Sequence, residues 1–579
     1  MKQLIIVLCM FVNVGILHAQ TKITGKVTDA QTGAALPFVT VSVKGTSLAI
    51  STDDNGFYSI DVPDNATALV YTFVGYAPVE MEISNRSVIN ITMNSEATSL
   101  DEVIVTAMGI TREQRAVGYA AQQLKAEDLT TVRQGDLNNA LAGKVAGAKF
   151  SAASAGTFDA GKIVLRGANT LTNAGASGSA PIYVVDGVIT DANAVNMDDV
   201  ESVNVLKSSA ATAIYGSRGG NGAVIITSKK GARDRGQVDF SQTVSFDVMK
   251  VPDNYQSLYG GGSKGANGEF NTFNYNPAVH ESYLQRMDGM KYYDMGNDES
   301  WGPRLDGREY APWYAWDPSH PKFGQTTKWS PQPENNLKDL YKTGVNSTTN
   351  VAFSRSTEKM TTRLSFTNTN RTGVVDNSKA VRRYFSFNTK IDINDRLSVS
   401  ADYKYTYRKN HNALVEGYSG AGNVTYTYTQ WGHRNVNLKD LKDYKRPDGT
   451  FRSWNITSPT NLKVAYHDSP WTVYNEIERI STSQWNVIAG NANFDVIKKK
   501  LSVGVNFNGN MRYDKYEQKV AVGTNAVPDG RYNTYDSTNP VNPTQAQIMD
   551  TQVQGYISFK DKFFDDKLDV FAQLFGETR

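Results

Sequence analysis

Cysteine is almost absent from this chain of 579 residues, because the single cysteine, Cys9, lies within the first 20 residues. Disulfide bonds and thiol chemistry in the rest of the chain are therefore excluded. A charge excess of either sign is also missing, since Lys and Arg total 60 while Asp and Glu total 58. A nucleic-acid-binding protein would show a basic excess, so we expect no nucleic-acid partner.

Long apolar runs are confined to the N-terminus. Met1–Gln20 contains Lys2, then an apolar run from Leu4 to Leu17 and Ala19 as the expected cleavage-site residue, which predicts a signal peptide over residues 1–20. No later run of about 18 apolar residues occurs, so no transmembrane helix is predicted. Aromatic residues nevertheless make up 11% of the chain. This composition fits either a membrane β-barrel or a secreted β-protein.

Residues 21–97 contain short β-prone segments at regular spacing, such as Phe57–Val62, with turn residues between them. This pattern predicts a small β-sandwich. The segments Gly25–Asp29, Asp54–Tyr58 and Val74–Tyr76 resemble the carboxypeptidase-regulatory-like domain, which is non-catalytic in that family. A generic immunoglobulin-like spacer is an equally good interpretation of the role of this domain.

The stretch from Pro181 to Gly231 predicts a small α/β domain. Its predicted elements are a strand at Ile182–Val185, a strand at Val203–Leu206, a short helix capped by Ser208 and Ser209 that stops at Gly216, and a strand at Ala223–Thr227. The glycines between Gly216 and Gly222 are not a phosphate-binding loop, because the Gly-Lys-Ser/Thr sequence that such a loop requires is missing.

The motifs Ile182–Gly187, Glu201–Lys207 and Ala213–Gly222, with Leu165–Gly167 upstream, resemble the plug domain of TonB-dependent outer-membrane receptors of the SusC/RagA-like branch. The resemblance implies a plug over residues 117–231 and a barrel that is 22-stranded in the family. Charged residues are expected to seat the plug in a polar lumen, and the candidates are Arg166, Asp186, Glu201 and Arg218. Solvated surface charge explains these four residues equally well.

Residues 98–116 form the link between the sandwich and the predicted plug. Two acidic residues there precede a β-prone run that has no hairpin partner nearby, and such an unpaired strand can add to a sheet edge of another protein. The segment resembles a TonB box, with TonB-binding residues Leu100, Asp101, Glu102, Val103, Ile104, Val105, Thr106, Ala107 and Met108. The alternative is the last strand of the sandwich.

From residue 232 onward, apolar and polar residues alternate over longer segments. Leu397, Val399, Ala401, Tyr403, Tyr405 and Tyr407 share one face of a predicted strand, and polar residues share the other. Similar patterns predict strands near 238–248, 347–355, 361–369, 384–393, 397–408, 484–496, 501–513, 552–561 and 567–575. Strands of about 9–11 residues with one apolar and one polar face are typical of a membrane barrel with a wet interior.

The links between these strands alternate between short and long, as in outer-membrane barrels, where periplasmic turns are short and external loops are long. Residues 232–579 are therefore interpreted as part of a transmembrane antiparallel β-barrel with long extracellular loops. Plugged transporters use about 22 strands. Because only about nine are predicted and Phe571–Arg579 stops just after a strand, we expect a C-terminally truncated sequence.

The sequence contains no catalytic constellation and no metal or cofactor site. Five histidines, His280, His320, His411, His433 and His467, fall in predicted loops and are expected to be solvated. Trp301, Trp313, Trp316 and Trp329 lie close together in a long loop and are candidates for contact with a glycan, a peptide or a partner protein. Packing of the loop itself is the alternative.

The predicted fold is mainly β, with a sandwich, a plug and a partial barrel. The chain is predicted to be a non-enzymatic TonB-dependent transporter of a Gram-negative outer membrane. The resemblance implies uptake of an oligosaccharide or peptide, with TonB, a SusD-like surface lipoprotein and outer-membrane lipid as partners, and the sandwich and plug on the periplasmic side. A signalling receptor of the same fold and a secreted β-rich adhesin or surface enzyme remain alternatives.

Overall fold

The computed structural model describes residues 20–578 with gaps. The gaps are at 31, 45, 47, 64–65, 74–75, 77, 85, 95–102, 106–110, 114–120, 126–136, 152–157, 159–160, 168–178, 232–235, 252–253, 266–267, 333, 414–423, 526–530, 535–545 and 565–567. Most of the predicted signal peptide, Met1–Ala19, lies outside the described residues. The chain divides into two compact units, one of Met1–Ile104 with Thr111–Gly118 and the other of Val105–Ile110 with Tyr119–Arg579.

The first unit is the predicted β-sandwich. Its strands are β1 (Gln20–Asp29), β2 (Thr40–Val43), β3 (Ala49–Ser51), β4 (Phe57–Pro63), β5 (Ala68–Thr72), β6 (Val79–Glu82) and β7 (Ile91–Met93). They form two sheets, β4-β1-β7 and β3-β2-β5-β6, over one apolar core. In β4 the side chains of Tyr58, Ile60 and Val62 are buried, while Phe57 is exposed, so the apolar face points inward.

Two short strands follow, β8 (Val103–Val105) and β9 (Thr111–Glu113), and they pair in a two-stranded sheet. The expectation that this segment has no hairpin partner nearby is therefore wrong for its backbone. Residues 100–102 and 106–108 of the predicted TonB box lie outside the described residues.

The α/β module, by which we mean the described residues 121–231, confirms the predicted elements. Its strands are β10 (Ala121–Lys125), β11 (Ala148–Ser151), β12 (Lys162–Leu165), β13 (Ile182–Val185), β14 (Val188–Thr190), β15 (Val200–Leu206) and β16 (Ala223–Ser228), with helices at Leu137–Leu141 and Ser208–Tyr215. A mixed sheet has the order β10-β15-β16-β13-β14. Capping by Ser208 or Ser209 is wrong, because Lys207 is the N-cap residue and makes no side-chain capping bond; the helix does end at Gly216, where φ is 61°.

Ten of the remaining sixteen strands build one long antiparallel sheet, here called the large sheet, and the other six form three separate two-stranded sheets. In chain order the strands are β17 (Gln237–Asp247), β18 (Asn271–Thr272), β19 (Lys291–Tyr292), β20 (Glu309–Tyr310), β21 (Thr327–Lys328), β22 (Gly344–Ser356), β23 (Met360–Thr372), β24 (Lys379–Asp392), β25 (Leu397–His411), β26 (Ile456–Ser458), β27 (Asn461–Val464), β28 (Ile477–Ile497), β29 (Leu501–Val520), β30 (Arg531–Thr534), β31 (Ala546–Phe563) and β32 (Leu568–Thr578). The large sheet has the order β17-β22-β23-β24-β25-β28-β29-β31-β32, and β30 pairs with the far end of β29.

All nine predicted strands are present in the large sheet. The short links fall at residues 357–359, 393–396, 498–500 and 564–567, at one end of the sheet, as predicted. The opposite end carries the long links 248–343, 412–476 and 521–545, but the link 373–378 there is shorter than expected. Helices at Val424–Gln430 and Pro470–Glu476 lie within the long links. Among the described residues, none of the helices has the length and apolar character needed to cross a bilayer.

The two faces of the large sheet carry opposite chemistry. On one face, buried side chains are polar or charged, including Arg363, Thr367, Ser386, Thr406 and Arg408. On the other face, large apolar side chains are exposed, among them Phe240, Phe353, Leu364, Phe366, Phe385, Phe494 and Val505. The polar face contacts the α/β module. The apolar face has no protein against it in the described part of the chain.

Candidate functional site

The site lies where turns of the α/β module contact the polar face of the large sheet. Asp186, in the turn after β13, contacts the ammonium group of Lys404 from β25. The Asp186 carboxylate also accepts hydrogen bonds from the Ser228 hydroxyl at 2.7 Å and from the Ser228 backbone N–H at 3.0 Å. Burial acts to raise the pKa of the Asp186 carboxyl, but Lys404 and the Ser228 hydrogen bonds outweigh it and hold that pKa below its ordinary value.

A second contact is made by Asp199, just before β15. Its carboxylate is buried, and Oδ1 lies 3.1 Å from Nη2 of Arg363 on β23. The other oxygen, Oδ2, accepts a hydrogen bond from Ser386 Oγ on β24 at 3.0 Å. The neighbouring Asn196 donates to Thr367 Oγ1 at 2.9 Å, so this turn is held by two adjacent strands.

A third contact joins Asp191 to the sheet, because its Oδ2 lies 3.3 Å from Nη1 of Arg512 on β29. Two backbone carbonyl groups of the module also accept hydrogen bonds from side chains of the sheet. Thr406 Oγ1 donates to the carbonyl oxygen of Ala194 at 3.1 Å, and Asn510 Nδ2 donates to that of Ile189 at 3.2 Å. The module is thus seated by three carboxylates, on three turns, that face cations on three different strands. We call Asp186, Asp191 and Asp199 with Lys404, Arg512 and Arg363 the ionic seat.

Two of the three ion pairs in the ionic seat, Asp186–Lys404 and Asp199–Arg363, are largely buried, whereas the side chains of Asp191 and Arg512 are about one third exposed. A buried ion pair gains little net free energy, because desolvation of both charges offsets their attraction. A cavity of about 20 Å³ lies beside the seat, between Ala194 and Asn196 of the module and Tyr384 and Thr406 of the sheet. This volume is enough for one water molecule. Such an interface can specify one placement of the module and still be separated when water replaces the contacts.

The four residues predicted to seat the plug lie in different environments. Asp186 belongs to the ionic seat, and Arg218 lies 3.2 Å from Asp550 of β31, although both side chains are well exposed. Arg166 and Glu201 are exposed, and neither has an ion pair within the described residues.

The sequence analysis missed Asp191 and Asp199. Both belong to turn-forming clusters, Thr190–Asn193 and Asn196–Asp199, in which Asn or Asp accepts a backbone hydrogen bond at the start of a short 3-10 helix. The analysis also missed Phe158, whose buried ring lies 4.7 Å from the guanidinium carbon of Arg382 on the polar face. A cluster of turn-forming Asn and Asp residues next to a strand end was the signal that could have identified the two aspartates.

Two long links pack together into one apolar core, here called the loop core. It contains Trp313, Trp316, Trp329, Trp454 and Tyr310 from residues 248–343 and 412–476. Three of the four candidate contact tryptophans are therefore buried. The fourth, Trp301, is 55% exposed, and its ring centroid lies 4.4 Å from that of Tyr259.

A buried carboxylate joins the two halves of the loop core. Asp317 Oδ2 accepts hydrogen bonds at 2.9 Å from Nε of Arg446 and at 2.9 Å from Nε of Arg452. Burial acts to raise the pKa of Asp317, but hydrogen bonds from Ser319 and Arg452 lower it to about 2. The expectation of solvated histidines is wrong for His433 and His320, which are both buried, and burial lowers the pKa of His433 to about 3.

Comparison with known families identifies two domains. Residues 23–105 match the CarboxypepD_reg-like domain, and residues 113–223 match the TonB-dependent receptor plug domain. The first match extends into the predicted TonB-binding segment Leu100–Met108. The second match covers most of the α/β module, including Asp186, Asp191 and Asp199.

Two proteins named as TonB-dependent receptors are similar to this chain. The TonB-dependent receptor P39 of Formosa agariphila is 36% identical over 239 residues, which cover 41% of this chain and 22% of that protein. The TonB-dependent receptor SusC of Bacteroides thetaiotaomicron is 30% identical over 264 residues, which cover 42% of this chain and 25% of SusC. The chain thus matches about a quarter or less of the length of these two relatives.

A solved structure shows the same fold. The RagAB peptide importer in its open-open state aligns with a TM-score of 0.57 and 21% sequence identity, over 82% of this chain and 48% of the other chain. Together with the domain matches, this likeness confirms the predicted resemblance to SusC/RagA-like TonB-dependent receptors and the predicted fold class. The α/β module is therefore called the plug from here on.

Proposed function

We propose that this chain, which carries the plug of a SusC/RagA-like TonB-dependent receptor, serves TonB-dependent uptake of a nutrient across the outer membrane. The observation that carries the proposal is the inverted large sheet, whose polar face contacts the plug and whose apolar face is exposed. In a soluble β-protein the apolar face would be buried, whereas alternation of lipid-facing apolar and inward polar residues is typical of outer-membrane barrels.

Gating follows from the nature of the ionic seat. The plug is held by Asp186, Asp191 and Asp199 through contacts that specify placement but contribute little net free energy. A pull transmitted along the chain from the N-terminal side of the plug would replace these contacts with water and open a path for the substrate. No covalent step is required.

TonB is the proposed source of that pull, and Leu100–Met108 is the proposed binding segment. Its described part, Val103–Val105, is already in an extended conformation. An extended strand can add to the sheet of a partner protein through backbone hydrogen bonds. In this proposal TonB takes the place of β9 beside β8.

The substrate class is an oligosaccharide or a peptide, and a peptide is the cargo named for the RagAB importer. Trp301 is the member of the tryptophan group that remains available for contact with substrate or with a SusD-like surface lipoprotein, because its side chain is exposed and its ring packs against Tyr259 at an interplanar angle of 44°. Rigid exposed aromatic rings bury large apolar area while losing little conformational entropy on binding.

The binding test uses the detergent-purified membrane protein and the C-terminal domain of TonB from the same organism. Val105→Pro removes a backbone N–H and should weaken TonB binding roughly tenfold or more. Ala116→Pro introduces a proline outside the proposed segment. It is the matched control and should bind TonB as the parent does. Equal binding by the Val105→Pro variant and the parent, or no binding by the parent, would contradict the proposal.

A further inference from the structure

The apolar face of the large sheet ends at a sharp boundary on strands β23–β25. Below the boundary, Phe366, Phe385 and Tyr405 are direct cross-strand neighbours and form an aromatic row. Along β25 the side chains on this face are apolar or aromatic from Leu397 to Tyr407, a rise of about 33 Å at roughly 3.3 Å per residue. Strands of outer-membrane barrels are tilted by about 35–45°, so this rise corresponds to a height of about 25 Å, which is close to the apolar band that such barrels present to lipid.

Directly beyond the aromatic row the same face becomes basic. Arg383 on β24 is paired in register with Tyr407, and its guanidinium carbon lies 5.9 Å from the Tyr407 ring centroid. Lys409 on β25 is two residues further along, and Lys379 on β24 is paired in register with His411. All three cationic side chains are exposed. We call Lys379, Arg383 and Lys409 the basic patch.

The basic patch has no protein counter-ion within the described residues, where no ion pair involves its three members. Its neighbours on β23, in register with β24, are the uncharged Asn368, Asn370 and Thr372. An acid on the same face, Glu478 of β28, is already engaged at 2.9 Å by His411 Nε2 and at 3.2 Å by Lys519 Nζ. Three cations are therefore held together on adjacent strands with their charge available to a ligand.

We propose that the basic patch binds the phosphate group of an anionic lipid in the outer leaflet, with the acyl chains lying over the aromatic row. The link 373–378 lies at the same end as the long loops, which places the patch at the external boundary of the apolar band. Basic side chains at a membrane interface attract anionic headgroups, and arginine and lysine both form charge-assisted hydrogen bonds with phosphate. The inference rests on the proposed membrane-embedded state.

The test reconstitutes the full-length protein into phosphatidylcholine nanodiscs that contain monophosphoryl lipid A as the anionic probe. Bound probe is measured by native mass spectrometry after release from the nanodisc. The variant Lys379→Gln/Arg383→Gln/Lys409→Gln should bind the probe roughly tenfold or more weakly than the parent, because three interfacial cations are lost. The control variant Lys359→Gln/Lys390→Gln/Lys498→Gln removes three lysines at the opposite end of the same sheet and should bind as the parent does.

Equal retention of lipid A by the parent and the basic-patch variant would overturn the inference, as would an equal loss in the control variant. Inorganic phosphate in excess distinguishes a lipid site from a free-phosphate site: unchanged lipid A binding supports the inference, and full displacement overturns it. Fractionation of cells separates the two proposals. A protein absent from the membrane fraction contradicts the proposed function, whereas a membrane-bound protein with unaltered lipid retention contradicts only this inference.

Discussion

Strands of the sandwich and of the large sheet both alternate apolar and polar residues. The apolar residues are buried in the sandwich, whereas the polar residues are buried in the large sheet. In β4 of the sandwich, Tyr58, Ile60 and Val62 are buried and the residues between them are exposed. In β24 of the large sheet, Arg382 and Ser386 are buried, while Phe385 between them is exposed. Period-two alternation therefore predicts a strand but does not show which face is covered.

The difference follows from what packs against each sheet. A second sheet of apolar side chains covers the inner face of the sandwich, whereas the plug presents carboxylates, carbonyl oxygens and hydroxyl groups to the large sheet. The polar face is matched by those groups, whereas large apolar side chains on the other face are exposed. The following predictions separate these two environments.

Removal of one charge from the ionic seat is expected to have the largest effect. Lys404→Met leaves the carboxylate of Asp186 buried without its cation, which should destabilise the seated plug by about 3–5 kcal/mol. Hydrogen exchange of β13 and β16 measures the change. Lys390→Met, which removes an exposed lysine 3.8 Å from Asp392, is the control and should cost less than about 1 kcal/mol.

The double variant Asp186→Asn/Lys404→Met sharpens this result. Because both charges are removed, it should recover most of the stability that Lys404→Met loses. A double variant that is as unstable as the single variant would show that Lys404 acts through packing and not through its charge.

A charge on the apolar face is the second test. Leu364→Arg in β23 should cost about 2–4 kcal/mol in a bilayer if this position faces lipid. Leu48→Arg in the sandwich starts from a similarly exposed leucine, 45% against 39%, and should change stability by no more than about 0.5 kcal/mol. Thermal unfolding of both variants in lipid nanodiscs is the measurement, and equal effects would remove the contrast between the two sheets.

Acidification should weaken the loop core through Asp317. Its folded-state pKa of about 2 lies below its ordinary value, so its contribution of about 2.5 kcal/mol is fully present above about pH 4 and is lost as the pH falls towards 2. Tryptophan fluorescence of the loop core reports the change. Asp317→Asn should abolish this acid transition and lower stability at neutral pH; an unchanged transition would assign it to another group.

The exposed pair of Arg218 and Asp550 should have the smallest effect. The charged groups of Arg218 and Asp550 lie 3.2 Å apart, but both side chains are solvated. Arg218→Gln is therefore expected to lower the stability of the plug by less than about 1 kcal/mol. Hydrogen exchange of the plug in the same assay as Lys404→Met provides the comparison. A loss as large as that caused by Lys404→Met would place Arg218 among the residues that hold the plug.

Much of the fold was predictable because alternation and turn residues are local signals. The strands of the large sheet and the plug strands at Ile182–Val185 and Ala223–Ser228 follow from such patterns. The partners of a charge were not predictable, because Lys404 is 218 residues away from Asp186 along the chain. Burial of Trp316 and His433 also depends on two links that meet only in the folded protein.

The most direct test of the inverted sheet is a spin-label scan of β23. The single cysteine, Cys9, is replaced by serine, and labels are placed one at a time at Leu364, Ser365, Phe366 and Thr367 of the protein in lipid nanodiscs. Labels at Leu364 and Phe366 should collide with oxygen dissolved in lipid, whereas labels at Ser365 and Thr367 should be shielded by the plug. Equal collision of all four labels with a water-soluble nickel reagent would contradict the account.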